Sequence, residues 1–410
     1  MERKFSPDEI HNMISEANLI LNGIVHRTPL DRSRTFSEMT GGEIYLKLEN
    51  LQKTGSFKVR GAYYKIYKLS DEAKKRGVIT ASAGNHAQGV AYAASMANVK
   101  AKIIMPIFAS ISKILATKNY GAEVVLYGQL FDEALRKAFE IAETEKLTFI
   151  HTFDDPYIIA GHGTIGLEII SQLRDPDIIV VPIGGGGLIS GISIAIKKKL
   201  GNKVRVIGVQ TEAFPAAYEF FKGVELEEKP FATIADGIAI KAPGELNEEI
   251  INEFVDDIVL VDDSEIAEAI FLLLERGKTL AEGAGAASLA AIISNKIDVK
   301  GRKVVSVISG GNIDFRILVK IINQELVGFK RVIRIRAIIP DRPGALSKML
   351  LILADARINI IDINTNRYDP AIEPYQASIE LITEVPEEEK FNRLLEKLKQ
   401  LGYEVQIMTC

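Results

Sequence analysis

The chain has one cysteine, Cys410, in 410 residues. A lone thiol excludes a disulfide framework and a cysteine-rich zinc site, and it fits a reducing, cytoplasmic setting. An excess of one charge is also missing. Fifty Lys and Arg face 54 Asp and Glu, for a formal charge of −4, so no chain-wide field draws in nucleic acid or anionic membrane. The opening MERKFSPDEI lacks the apolar core of a secretory signal. The uncharged run at residues 178–196, IIVVPIGGGGLISGISIAI, is interrupted by a proline and four glycines, and reads as strand, turn and helix rather than a membrane span. His11, His26, His151 and His162 have no metal-ligand spacing and are expected to be structural or surface residues. The expected ligands are therefore small molecules, with no metal, no nucleic acid and no membrane among the partners.

What is present is an ordinary globular composition, 47% apolar and 25% charged, long enough for about two to three domains. From about residue 40 to 312, short β-branched runs alternate with helical patterns: EIYLKLE then KVRGAYYKIYKL, GVITAS then HAQGVAYAASMA, DIIVVPIG then LISGISIAIKKKL. This alternation predicts parallel sheets with helices on both faces. The stretch SNKIDVKGRK, residues 294–303, reads as a helix forming an ordinary charged edge. After about residue 326 the pattern changes. Ile333, Ile335, Ala337 and Ile339 alternate with Arg334, Arg336 and Ile338, and Leu346, Met349, Leu350 and Leu353 lie at helical spacing, as do Phe391, Leu394, Leu395 and Leu398. The order βαββαβ predicts a ferredoxin-like module. The domains expected are residues 1–326 and 330–410.

Three glycine-rich stretches follow predicted strands. In PIGGGGLISG, residues 182–191, side-chain-free amides at a helix start can bind phosphate without a basic residue. The spacing fits neither GxGxxG nor a P-loop, and the one GKT, Gly277 to Thr279, has Leu272 where the leading glycine belongs. Tight packing alone would also account for such a glycine run. TASAGNHAQGVA, residues 80–91, presents Ser82 to His86 at another helix start, which suits a carboxylate, although a plain capped helix reads the same way. SVISGGN, residues 306–312, repeats the strand-to-glycine pattern, and all three sit where open α/β sheets bind ligands. Against this background stands KTGSFKVRGA, residues 53–62, which sets Lys58 between Phe57 and Val59. As part of a basic run with Lys53 and Arg60, this lysine could belong to a solvated face. Beside a phosphate cradle and a carboxylate trap, a desolvated lysine is instead a nucleophile toward an aldehyde, and pyridoxal phosphate meets both demands.

GSFKVRGA, SAGNHAQGVA, GGGGLISG, ADGIA, AEGAGA and SGGN, in this order and spacing, closely resemble the fold-type II pyridoxal phosphate enzymes, specifically the threonine (serine) dehydratases, or threonine ammonia-lyases. The resemblance covers about residues 5 to 325, and PDRPGAL plus the element order make the C-terminal module similar to an ACT domain. It implies two parallel-sheet α/β subdomains followed by the ferredoxin-like module. It also implies that Lys58 links covalently to the cofactor and later takes the substrate Cα proton. Phe57 would pack on the cofactor ring, Asn85 would bond its hydroxyl, and the amides of Gly184, Gly185, Gly186, Gly187 and Leu188 would hold its phosphate. Ser309 would meet the pyridine nitrogen; Ser82, Ala83, Gly84, Asn85 and His86 would hold the substrate carboxylate; Glu282 would border the pocket. The reaction implied is β-elimination from threonine to 2-oxobutanoate and ammonia, and from serine to pyruvate. In the module, Asp341, Gly344, Ala345 and Leu346 would receive an amino-acid effector, with isoleucine first and valine second. Binding between two copies would make the protein a homodimer or homotetramer.

Three rivals remain at this stage. Serine racemases share most motifs but carry serine where this chain has Ala83, and their divalent-metal stretch corresponds here to GVQTEAFPA, with Gln210, Phe214 and Ala216. Another fold-type II elimination or replacement enzyme, such as threonine synthase, would need basic residues for a phosphorylated substrate, and none are recognisable. A pure amino-acid sensor would not need the cofactor set.

Overall fold

The computed structural model describes residues 5–227, 232–368, 370–385 and 388–408, so Cys410 lies outside the described residues. The chain divides into two compact units, residues 1–317 and 318–410.

The first unit contains ten strands: β1 (Leu30–Arg32), β2 (Glu43–Leu48), β3 (Val78–Ala81), β4 (Ala101–Met105), β5 (Glu123–Leu126), β6 (Thr148–Phe149), β7 (Ile178–Pro182), β8 (Arg205–Thr211), β9 (Asp257–Val261) and β10 (Lys303–Ile308). They form a six-stranded sheet ordered β1-β2-β10-β7-β8-β9 and a four-stranded sheet ordered β5-β4-β3-β6. Neighbouring strands run parallel except β1, which pairs antiparallel with β2 at the edge. Every residue of β7 and of β3 is buried, the signature of strands covered on both faces. The two parallel-sheet subdomains expected from the alternation are thus present. Residues 294–303 depart from expectation. The preceding helix ends at Ile293, Asn295 and Gly301 adopt left-handed backbone at φ 57 and 68, and a left-handed residue interrupts the helical ladder. Ile297 and Val299 are buried, which anchors this segment as an irregular connection.

The helices Lys58–Tyr67, Asn85–Met96, Pro156–Gln172 and Gly187–Leu200 meet through glycines. A Cβ placed on Gly161 would lie 2.6 Å from the Gly61 Cα, and one on Gly191 would lie 2.3 Å from the Ile159 carbonyl oxygen. Main chain therefore touches main chain beneath the loops that end β3 and β7. Arg60, far from a solvated face, is 1% exposed. Its Nε and Nη2 each donate to Glu49 at 2.8 Å and its Nη1 donates to Glu168 at 2.7 Å, while Lys47 Nζ donates to the other Glu168 oxygen at 2.6 Å. Two cations and two carboxylates close a buried, mutually compensated cluster two residues from Lys58.

In the second unit, β11 (Val332–Pro340), β12 (Ile360–Asn366), β13 (Gln376–Glu384) and β14 (Glu404–Met408) form an antiparallel sheet ordered β12-β13-β11-β14. With the helices Ala345–Asp355 and Glu388–Gln400 this is the predicted βαββαβ order. The alternation of β11 buries Ile335, Ala337 and Ile339 against Met349, Leu353, Phe391, Leu394 and Leu398. The first helix buries Ala345, Met349 and Leu353, whereas Leu346 and Leu350 are only half-buried.

Candidate active site

The site forms at the carboxyl ends of strands in the first unit. Lys58 opens its helix directly after Phe57, and its Nζ donates to the Thr152 carbonyl at 3.1 Å and stands 5.1 Å from the centre of the Phe57 ring. Part of the side chain stays exposed, but withdrawal of the amine from water outweighs the opposing pull of Glu282 and lowers its pKa to about 8. The helix start is pinned by backbone bonds to the loop that follows β10. Phe57 N donates to the Ser309 carbonyl at 3.1 Å and Gly311 N to the Gly55 carbonyl at 2.9 Å, so the lysine loop and SGGN are joined.

Next to Thr152, Phe153 packs under the second glycine stretch. A Cβ on Gly185 would come within 2.3 Å of the Phe153 ring, and one on Gly187 within 2.7 Å of the Phe153 carbonyl oxygen. Packing therefore requires glycine here, as the simpler account of this run held. A second consequence follows from the same compactness. Among the described residues no backbone or side-chain acceptor takes the amides of Gly184, Gly185, Gly186, Gly187 or Leu188, and they crown the Gly187–Leu200 helix, for which Gly186 is the N-cap at φ 95. Free amides on a helix N-terminus form an anion seat.

The SAGN loop ends β3. Ser82 is buried and its hydroxyl accepts from the Gly84 amide at 3.2 Å; Ala83, Gly84 and Asn85 are half-buried. The amides of Ala83, Asn85 and His86 have no acceptor among the described residues. The His86 ring faces away, with Nε2 3.2 Å from the Ile150 carbonyl, and burial, then Lys58, lowers its pKa to about 3. It offers the site a backbone amide and not a cation. Asn85 Nδ2 donates to Glu282 Oε1 at 2.5 Å. Glu282 is buried at the head of the Gly283–Ile293 helix, and burial, reinforced by Asp236, raises its pKa to about 7. The Ser309 hydroxyl, also buried, has one long bond of 3.4 Å to the Ala284 carbonyl.

Several neighbours escaped sequence reasoning. His162 stands edge-on to Phe57 at 4.7 Å with neither ring nitrogen bonded, and burial, then Lys58, holds it well below the usual histidine pKa. His151 Nδ1 accepts from the Asp154 amide at 2.8 Å and so fixes the turn that carries Thr152 and Phe153. Lys113 pairs with Asp236 at 2.8 Å, and Asn312 bonds Asn85 at 2.7 Å. For Asn312 the repeat of SxGN at residues 82–85 and 309–312 was available as a signal; the histidines gave none.

Residues 21–310 match the family model for pyridoxal-phosphate dependent enzymes. The chain belongs to that family. Residues 333–403 match the ACT domain. An L-threonine ammonia-lyase of Thermotoga maritima is 51% identical over 398 residues, 96% of this chain and 98% of the relative. Among solved structures, the processed form of threonine deaminase isoform 2 from Solanum lycopersicum superposes with TM-score 0.73 at 36% identity over 80% of this chain and 91% of that one. Maize serine racemase gives TM-score 0.71 at 32% identity over 78% and 98%. The residues present suit the family's cofactor: acceptor-free amides at a helix start for its phosphate, an aromatic residue and a low-pKa lysine beside them, and polar side chains of Asn85 and Ser309 within the same pocket wall.

Gln210 Oε1 accepts from the Tyr218 amide at 3.0 Å, and no cluster of three or more His, Cys, Asp or Glu that could hold a metal occurs among the described residues. In the second unit, Gly344 caps the Ala345–Asp355 helix at φ 87. Ala345 is buried, Leu346 is half-buried, and Asp341 Oδ1 accepts from Arg367 Nε at 3.0 Å. Asp341 therefore already has a cationic partner, although an exposed one. No helix among the described residues is long and apolar enough to cross a membrane.

Proposed function

We propose that this chain is a pyridoxal phosphate-dependent L-threonine ammonia-lyase that releases 2-oxobutanoate and ammonia, and that it also converts L-serine to pyruvate. The observation that carries the chemistry is the Lys58 amine, its pKa lowered to about 8, bonded to Thr152, whose neighbour Phe153 packs under a helix-start run of amides that has no acceptor among the described residues. The likeness over nearly the full length of a threonine ammonia-lyase supports the substrate. Bound pyridoxal phosphate supplies a sink for the electron pair left at Cα. Lys58 holds the cofactor at rest and, when free, takes the Cα proton at Nζ. The amides of Gly184 to Leu188 would bind the phosphate, Phe57 would lie against the ring, Asn85 would donate to the ring oxygen, and the neutral Ser309 hydroxyl would meet the pyridine nitrogen. A hydroxyl partner would leave that nitrogen without a full positive charge, which would favour elimination over transamination. Ser82 to His86 orient the substrate carboxylate through their amides. Ala83 puts no proton donor on the opposite face, which disfavours racemisation.

In this reading residues 1–326 are catalytic and 330–410 regulatory. An amino-acid effector, isoleucine first and valine second, binds at Asp341, Gly344, Ala345 and Leu346, where the helix start receives its carboxylate. The protein acts as a cytoplasmic homodimer or homotetramer, in the first step of isoleucine synthesis or in threonine breakdown. Lys58→Ala tests the assignment. It is expected to abolish 2-oxobutanoate production from threonine and the visible band of the bound cofactor, with circular dichroism unchanged; turnover near that of the parent chain overturns the assignment.

A further inference from the structure

The last residue of SGGN has no role in the account above, yet its side chain is the junction of three loops. Asn312 Nδ2 donates to the Thr54 carbonyl at 2.9 Å and to Asn85 Oδ1 at 2.7 Å. Both hydrogens of that nitrogen are spent. A main-chain carbonyl only accepts, so the Thr54 bond fixes which end of the Asn312 amide faces inward. That orientation then passes on: Asn85 must turn its oxygen toward Asn312, and its own nitrogen faces Glu282 and the pocket.

The surroundings make room for this relay. A Cβ on Gly55, which sits at φ 71, would fall 2.4 Å from Asn312 Oδ1. One on Gly310 would fall 2.2 Å from Glu282 Oε1 and 3.2 Å from Asn85 Nδ2. The backbone bonds Gly311 to Gly55 and Phe57 to Ser309 hold the two loops in register, so Asn312 has little freedom to turn. A carboxamide is nearly symmetric in shape, and only its bonding network decides whether a donor or an acceptor is presented.

We infer that Asn312 is a positioning residue that sets Asn85 with its amide nitrogen, and not its oxygen, toward the cofactor's ring oxygen. This rests on the proposed reading that Asn85 faces that oxygen. An anionic ring oxygen is stabilised by a donor and repelled by an acceptor. Losing the donor also leaves the ring oxygen more negative, so a proton shared with it is held more strongly and comes off at higher pH.

The test uses the full chain, stripped of cofactor and titrated with pyridoxal phosphate. Asn312→Asp keeps the shape, removes both donors and turns the Asn85 nitrogen toward itself. It is expected to weaken cofactor binding about tenfold or more and to raise the pH midpoint of the cofactor's visible absorbance change by roughly one unit, with the cofactor-free protein still folded and its melting temperature lower by about 2 to 5 °C for the two lost bonds. Asn85→Ala, made in parallel, is expected to do the same, and the double variant to add nothing. If Asn85→Ala moves both readouts and Asn312→Asp moves neither, the positioning role is overturned. If Asn85→Ala itself moves neither, the Asn85 reading fails and the inference with it. Should Asn312→Asp not fold, Asn312→Ala carries the same measurements with the same expected directions, and an unmoved midpoint there equally overturns the role.

Discussion

Replacing Arg60 by methionine tests the buried charge cluster two residues from the lysine. In the parent chain Arg60 and Lys47 balance Glu49 and Glu168, with side-chain exposures of 1%, 0%, 0% and 10%. Burial pushes the Glu49 carboxyl up, but the Arg60 guanidinium beside it wins and holds it below the usual carboxylate range. Methionine fills most of the volume but leaves Glu49 with the Thr28 hydroxyl as its close remaining donor, at 2.5 Å. Removing one partner of a buried pair costs about 3 to 5 kcal/mol. Unfolding entropy of about 2.1 cal/mol/K per residue over a unit of 317 residues converts this into a drop of about 4 to 8 °C. Calorimetry of the cofactor-free full chain should read that drop at pH 8. The deficit should shrink toward pH 5, because a buried carboxylate that has lost its guanidinium takes up a proton at higher pH than in the unfolded chain; the cost is complete above the folded pKa and fades as the pH falls toward the unfolded one. Adding Glu49→Gln should recover much of the loss. A drop under about 2 °C, or one equally large at both pH values, would refute the view that the cluster is held by mutual compensation.

The initial rate with saturating threonine should rise with pH through about 8, since Lys58 acts as a base when neutral and its pKa is lowered to that region; a rate that is flat from pH 6.5 to 9 would contradict this role. Ala83→Ser should introduce detectable exchange of L-serine to D-serine, measured by chiral chromatography, and a parent chain that racemises serine as fast as it dehydrates it would defeat the argument from Ala83. A chain shortened to end at Val327 should keep threonine turnover and lose any response to isoleucine or valine. A full-length enzyme indifferent to amino acids that loses its assembly on shortening would leave the module only a structural part.

Periodic and glycine-rich signals translated well into structure. Fully buried strands such as IIVVP and VITA announce themselves by β-branched runs, and the alternation in β11 named Ile335, Ala337 and Ile339 on its buried face, with Ile333 only half-buried. Lys58 was recognisable because its flanking glycines and aromatic neighbour are local. Arg60 was not: its partners Glu49 and Glu168 are 11 and 108 residues away, and a charge looks solvated until the fold brings its counter-ion. The same holds for His162 beside Phe57 and for the contact of Asn312 with Asn85, 227 residues apart. The misread segment 294–303 failed for a different reason. Lys296, Lys300 and Lys303 lie at helical spacing, whereas the left-handed backbone of Asn295 and Gly301 is exposed only by the folded geometry. Asp341 read as open to an effector because its partner Arg367 lies 26 residues away.

The glycine contacts between the helices behind Lys58 and behind the phosphate-binding loop bear on how the sequence can change. Where main chains touch, no side chain exists to be trimmed or repacked. An alanine at Gly161 or Gly191 meets backbone in the facing helix, and a single compensating substitution has no side-chain atoms to remove there. A comprehensive substitution scan should therefore show a string of intolerant positions running away from the lysine into the interior, as unforgiving as the reactive residue itself although none of them meets a ligand. Variation that retunes this enzyme has to enter from the other wall of the pocket, through Ala83, Glu282 and their neighbours, where side chains rather than main chains set the spacing.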